Sequence, residues 1–317
     1  MGHDRLSKSM NTPTELQPNA VATPPEKVVV AIATTGRAPI LRDTIKQLAT
    51  LRELPDELII CIADDADVDI DSLSDFTVPT RVLKAARGLC NQRNAIVASV
   101  TDAAIVLFID DDFLLAEGYI QTVRRVFHEQ ADVVMTTGEV IADGILGPGL
   151  DHATGENVLK KSGDGNGIEV ITETYNGYGC NMAVRVSVVR AQNILFDTNL
   201  PSYGWLEDVD FSRQLARHGR IVKHSKMRGV HLGTKTGRSR GVPLGYSQIA
   251  NPLYMSRKGT LSPRKALNSV LRNIAANMAK MLWPEPWVDR RGRFKGNMLA
   301  LGDLLRGRIS PTRISEL

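Results

Sequence analysis

The run Ala103-Ala104-Ile105-Val106-Leu107-Phe108-Ile109-Asp110-Asp111-Asp112 decides how this chain is read. Its first seven residues are apolar, unbroken and partly β-branched, which is the pattern of a short strand buried on both faces. Carboxylates at the carboxyl end of such a strand lie where open α/β sheets bind ligands. Three adjacent acids repel one another and gain nothing as a solvated face. A hard divalent cation removes that repulsion, and oxygen ligands suit Mg²⁺ or Mn²⁺, often shared with phosphates. The other reading is an acidic loop capping a helix predicted to begin near Ala116.

The flanking sequence repeats the pattern. Lys27 to Ala33 (KVVVAIA) predicts a buried strand that breaks at the polar turn Thr34-Thr35-Gly36-Arg37. Pro39 to Leu51 predicts a helix, with Pro in its first turn and Ile40, Leu41, Ile45 and Leu48 on one face. Glu57 to Ala63 predicts a second strand, ending in Asp64-Asp65, and Arg81 to Lys84 a weak third. Helices are expected over Asn91–Val100 and Ala116–Glu129, and a strand over Asp132–Ile141. Alternating strands and helices with short loops argue for an α/β fold, a mostly parallel sheet flanked by helices. Three strand ends carry polar clusters, which builds a site along one edge of the sheet. Asp143 to Gly167 is Gly-rich and aperiodic and is expected to be a mobile loop. Beyond it, the pattern predicts a strand over Ile168–Thr174, a short helix over Arg185–Gln192, a helix over Asp208–His218 closed by Gly219, and a short strand over Arg220–Lys223.

Composition sets the class. Of 317 residues, 43% are hydrophobic and 23% charged, as in soluble globular proteins. Cys61, Cys90 and Cys180 fit no metal spacing and suggest no disulfide framework, so a reducing compartment is expected. Residues 1–26 are polar and rich in Pro, Thr and Asn; they read as a disordered segment, not a secretory signal. No stretch has the length of a membrane-spanning helix, which makes a cytoplasmic location the expectation. The net charge of +4 hides an asymmetry. From Arg257 onward there are 13 Lys+Arg against 4 Asp+Glu, while the preceding residues carry 26 against 31. A basic tail on a slightly acidic body points to an anionic partner surface. Because the positive charge is confined to the tail, a nucleic-acid partner is not expected.

Five elements occur in order: the Thr-rich turn after the first strand, Asp64-Asp65 after the second, Arg87-Gly-Leu-Cys-Asn-Gln-Arg-Asn94, Asp110-Asp111-Asp112, and Trp205-Leu-Glu-Asp-Val-Asp-Phe211. In this order and spacing they resemble the family 2 glycosyltransferases of GT-A fold, over about residues 27 to 235. The resemblance implies inverting transfer of a sugar from a nucleotide-sugar donor, with UDP the expected carrier, to a saccharide or lipid-linked saccharide acceptor. It places Thr34, Thr35 and Arg37 near the nucleotide, Asp64 at the base or ribose, Asp110 at the ribose and Asp112 on the metal. Asp111 joins the donor set or caps the next helix. Arg87 and Arg93 suit phosphate, or pair with local acids. Asp208 is the expected general base, since inverting transfer needs one group to take the acceptor proton; the other reading is a plain helix N-cap. Glu207 would hold an acceptor hydroxyl. Gly177 to Met182 resembles the family's acceptor-side turn, so Tyr178, Gly179, Asn181 and Trp205 are expected at the acceptor, the aromatics by stacking or merely as core. His231 is the expected third metal ligand, with His224 as competitor; imidazole beside carboxylates would tilt the cation from Mg²⁺ toward Mn²⁺. Lys235 and Arg238, in the basic Gly-rich loop 233–240, would fold over the donor diphosphate.

The resemblance divides the chain into a catalytic domain, 27–256, with a donor half (27–142) and an acceptor half (143–256), and a basic amphipathic tail, 257–317. In the tail a helix over Arg264–Trp283 carries Leu267, Val270, Leu271, Ile274, Met278 and Met281 on one stripe among basic residues, and Met298–Leu305 is a second amphipathic stretch. Such helices can lie in an anionic membrane interface, and the resemblance implies the inner face of the membrane. The alternative is packing on the catalytic domain or on a second subunit in an oligomer. No Gln-x-x-Arg-Trp motif occurs, which argues for addition of a single sugar over processive synthesis. Two rival functions are a sugar-phosphate nucleotidyltransferase, whose Gly-rich signature after the first strand is poorly matched, and a catalytically silent nucleotide- or glycan-binding module.

Overall fold

The computed structural model describes residues 27–73, 76–100, 104–163, 168–235 and 241–317. The segment 1–26 and the loop residue Arg238 lie outside the described residues. In chain order the elements are β1 (Lys27–Ala33), α1 (Ala38–Ala49), β2 (Glu57–Ile62), β3 (Thr80–Lys84), α2 (Leu89–Ser99), β4 (Ala104–Ile109), β5 (Phe113–Leu115), α3 (Tyr119–Glu129), β6 (Val133–Asp143), α4 (His152–Ser162), β7 (Ile171–Glu173), β8 (Asn181–Arg185), α5 (Val186–Ala191), α6 (Glu207–Leu215), β9 (Arg220–His231), α7 (Gly241–Lys258), α8 (Pro263–Lys280) and α9 (Arg290–Leu305).

One sheet organises the α/β core, in the order β3-β2-β1-β4-β8-β6-β9-β5, with β7 also on β9. β3, β2, β1 and β4 run parallel; β8 is inserted antiparallel between β4 and β6; β6 and β9 are parallel again. Both faces are covered. Val28, Val30 and Ile32 of β1 pack with Leu41 and Ile45 of α1 and Val123 of α3. Val29 and Ala31 point the other way, toward Ile96 of α2, Val189 of α5 and Phe211 of α6. A strand buried on both faces has no position for a polar residue, and so β1 and β4 read as continuous apolar runs.

Several expectations are corrected. The stretch 143–167 was expected to be a mobile loop, yet it contains α4, N-capped by Asp151, whose carboxylate accepts Thr154 N–H at 2.7 Å. The single strand expected over 168–174 is the three-residue β7, and a further strand, β8, follows the Gly177–Cys180 turn. β9 runs on through His231 rather than stopping near Lys223. α7, unread in the sequence, carries Pro252 within it and packs with α8 and α9 around Tyr246, Ile249, Val270 and Ala300.

Candidate active site

The sheet register assembles the site. β5 follows the triple aspartate directly and pairs with β9, setting Phe113 opposite His231. On the other side of β9, His231 is opposite Asp143 of β6. His231 therefore lies between the end of the 110–112 turn and Asp143. Its Nε2 is 3.4 Å from Asp112 Oδ1 and 3.9 Å from Asp110 Oδ2, and its Nδ1 is 2.9 Å from Asp143 Oδ1. Tyr178 O–H donates to the other Asp143 oxygen at 2.9 Å. With Nδ1–H donated to Asp143, Nε2 is the nitrogen that faces the two aspartates, and losing its proton leaves it for a metal. Asp110, Asp112 and His231 each offer a ligand atom within 4.8 Å of the others. Burial disfavours charge here, but the aspartates outweigh it and raise the His231 pKa to about 10. Asp112 is likewise buried, yet His231, Arg37 and the Thr234 N–H (2.8 Å) hold its pKa at about 2. Two carboxylates and an oriented imidazole fit a divalent cation.

Asp111 turns the other way. It is buried, accepts from Thr34 Oγ1 at 2.6 Å and pairs with Arg37 at 2.7 Å. Its backbone carbonyl accepts Thr44 Oγ1 at 2.6 Å, which fixes the turn to α1. Burial pushes its pKa up to about 6 against the pull of Arg37. Thr34, Thr35, Arg37, Arg87, Asp110 and Asp111 all line one cleft of ≈ 210 Å³ at the ends of β1 and β4. Gln92 supports its floor, donating to the carbonyls of Thr34 (2.8 Å) and Cys61 (2.7 Å).

A second space of ≈ 310 Å³ adjoins the first and is lined by Asp110, Tyr178, Gly179, Trp205, Glu207, Asp208 and His231. Asp208 is the second residue of α6. It follows a tight turn in which Leu206 has φ +70°, a left-handed conformation costly for a branched residue. Its carboxylate accepts Gly179 N–H at 3.0 Å and Val209 N–H at 2.8 Å. Burial raises its pKa, and these two N–H groups limit the rise. A carboxylate made more basic by burial is suited to accepting a proton. Glu207 is 4% exposed; one oxygen pairs with Arg93 at 2.6 Å and the other has no partner among the described residues. Burial pushes the Glu207 pKa to about 8 although Arg93 opposes it.

The profile of the family described as "Glycosyl transferase family 2" matches residues 29–191, just over half of the 317 residues. The chain belongs to glycosyl transferase family 2. It is a glycosyltransferase of GT-A fold. No protein of curated function matches it. Among solved structures it resembles S. aureus TarS 1-349 (TM-score 0.56, 13% identity, 92% of this chain and 83% of that one). It also resembles the mannosyltransferase PcManGT from Pyrobaculum calidifontis in complex with GDP-Man and Mn²⁺ (TM-score 0.53, 14% identity, 89% and 88%). At such identities the likeness is one of fold.

In this glycosyltransferase some expected residues sit elsewhere. Arg93 takes the other role read for it, pairing with local acids: its guanidinium is buried between Phe108 and Phe196 (5.5 Å to each ring centroid) and donates to Glu207, Asp110 and Gly179 O. Asn181 is fully buried in β8, and its Oδ1 accepts from Thr137 Oγ1 and Gly138 N, so it ties β8 to β6 rather than lining the acceptor space. Asp64 caps its own turn, accepting from Ala66 N–H (3.1 Å) and from the Asp67 backbone, and does not line the cleft. His224 pairs with Glu169 at 3.1 Å and is no part of the ligand cluster. Lys235 Nζ donates to the carbonyls of Gly144 and Ile145. Two important residues went unread. Asp67 binds the N–H groups of Gly36, Ala63 and Asp64 and thus locks the β1 and β2 turns together. Asp143 orients His231; in sequence it was only the start of a presumed loop.

Proposed function

We propose that this enzyme transfers a single sugar, with inversion, from a nucleoside-diphosphate sugar in the ≈ 210 Å³ cleft to a hydroxyl of a saccharide or lipid-linked saccharide in the adjoining space. The observation that carries the proposal is that Asp208 lines one cavity with Asp110 and His231, two members of the Asp110–Asp112–His231 cluster. The base and the leaving-group ligands are thus set around a common point. Mn²⁺ or Mg²⁺ held by Asp112, His231 and Asp110 would neutralise the departing diphosphate. Thr34, Thr35, Arg37 and Arg87 would line the nucleotide, with uridine the first base to test. Asp208 would draw the proton from the acceptor oxygen as that oxygen attacks the anomeric carbon. Arg93 would hold Glu207 and the Gly179 carbonyl in place around it, and the unpartnered Glu207 oxygen would hydrogen-bond an acceptor hydroxyl. Residues 27–142 would then serve the donor and 143–256 the acceptor. We further propose that the enzyme works in the cytoplasm at the inner face of the membrane, with the basic tail toward anionic lipid; no helix of the described residues is long and apolar enough to cross a membrane.

The test is release of nucleoside diphosphate from UDP-, GDP- and dTDP-sugars with and without Mn²⁺. Metal-dependent release from one donor is expected, and Asp208→Asn should lower transfer to an acceptor by about a hundredfold or more. Calorimetry showing no metal-dependent binding of any nucleoside diphosphate would overturn the proposal, and an indifferent Asp208→Asn would return the silent binding module.

A further inference from the structure

We propose that a third cavity, between the catalytic space and the C-terminal helices, is a subsite for an anionic group, phosphate or carboxylate, carried by the acceptor. This deepens the reading above and rests on it. The cavity holds ≈ 370 Å³, within the range of small-molecule sites, roughly 300–1,000 Å³. Leu146, Tyr203 and Trp205 line both it and the space around Asp208, so the two are continuous. The nucleotide cleft is on the far side; of its walls only Tyr203 is shared. A molecule whose hydroxyl lies at Asp208 therefore extends into this cavity, away from the donor.

Among the described residues its lining has three cationic side chains, Lys235, Arg290 (itself ion-paired with Glu285) and Arg293, and no carboxylate. The charges come from two separate segments, the chain after β9 and the start of α9. Lys235 is fixed on the 144–145 turn through its two carbonyl contacts. Arg290 and Arg293 lie one turn apart at the start of α9. Arg290 is oriented by Glu285 (2.8 Å) and Asn277 (3.1 Å). α9 itself is seated by backbone-to-backbone contact with α7, where a Cβ on Gly245 would meet Arg293 O at 2.0 Å. Trp205 and Trp287 supply apolar walls suited to a sugar ring. The Trp205 indole N–H is buried without a partner among the described residues. Fixed cations around an aromatic-walled cavity favour a ligand that is both sugar-like and anionic.

The experiment uses the full chain saturated with Mn²⁺ and the nucleoside diphosphate it binds, so that the donor cleft is filled. Neutral and anionic partners are titrated in pairs (glucose with glucose 6-phosphate and glucuronate, glycerol with glycerol 3-phosphate) while tryptophan emission is followed. Saturable quenching by the anionic members at concentrations about tenfold lower than for the neutral ones is expected. Arg293→Gln should weaken that binding about tenfold, and Trp287→Phe should remove much of the signal. If Arg293→Gln does not fold, Lys235→Gln, on the chain after β9, reads the same loss. Phosphate esters acting while glucuronate does not would assign the site to phosphate; the reverse would assign it to carboxylate. Equal response to neutral and anionic members, no saturable response from any, or unchanged binding in the folded variants would overturn the inference. Nucleoside diphosphate binding persisting in those cases would leave the transferase reading standing, whereas its absence would sink that reading first.

Discussion

His231 shows what a single side chain does in this site. Its ordinary pKa of 6.5 is raised to about 10 by Asp112, Asp143 and Asp110 against burial. A raised histidine pKa stabilises the fold fully below about pH 6.5 and loses that contribution as pH climbs toward 10. The metal-free protein should therefore melt progressively lower across that interval, with Tm scans in a buffer series as the check. A cation on Nε2 must displace the proton, so Mn²⁺ affinity should rise about tenfold per pH unit from 6 to 8. A flat calorimetric profile would remove His231 from the ligand set. Arg93 shows a different economy. Fully buried against Glu207, it cannot be lost without stranding a buried acid. Arg93→Met should destabilise by about 3–5 kcal/mol, and Arg93→Met with Glu207→Leu should recover much of that. Denaturant midpoints for the two variants decide it; equal midpoints would mean that the pair carries no such coupling. Neither partner could be matched in the sequence, because 114 residues separate them.

Elements were legible where one physical signal acted alone. β1, β2 and β4 are buried on both faces, so their uninterrupted apolar runs announced them. α4 was hidden by the glycines around it, and β8 by the turn Gly177–Cys180 that leads into it. α7 was hidden by Gly241, Gly245 and Pro252, residues that argue against a helix by propensity. Its glycines serve packing: a Cβ on Gly296 of α9 would sit 2.1 Å from Val242 O and 2.7 Å from Tyr246 N. Propensity and contact thus predict opposite signs. Gly296→Ala in a free helix would stabilise by about 1 kcal/mol, but here it should destabilise by about 1–3 kcal/mol as α7 and α9 are forced apart. Thermal denaturation settles the sign, and a raised Tm would show that the two backbones are not in contact. Asp110 was named for the ribose and Asp112 and His231 for a metal, from motif and order alone; the register of β9 between β5 and β6 supplies the reason the three lie together.

At the scale of the whole molecule, the tail divides into what the protein covers and what it leaves bare. The stripe expected on α8 is split: Val270 is buried, whereas Leu267, Leu271 and Met278 are 57%, 56% and 54% exposed. The bare face continues into Leu282 and Trp283, 63% and 82% exposed. α8 carries Arg264, Lys265, Arg272 and Lys280 and no acid. A second copy docked symmetrically on this face would bring like charges together with nothing on the helix to offset them. An anionic bilayer instead takes up both the leucines and the cations, each basic side chain near the surface contributing about 1 kcal/mol. We therefore expect the protein to co-sediment with vesicles containing phosphatidylserine and not with phosphatidylcholine alone, and to be released as salt rises. Leu267→Ser with Leu271→Ser should abolish sedimentation without lowering Tm, since both side chains are already in water. Should the double variant still sediment, the face is not the contact; should it instead convert a dimer to a monomer in analytical ultracentrifugation, the bare stripe is a subunit interface and the membrane assignment falls.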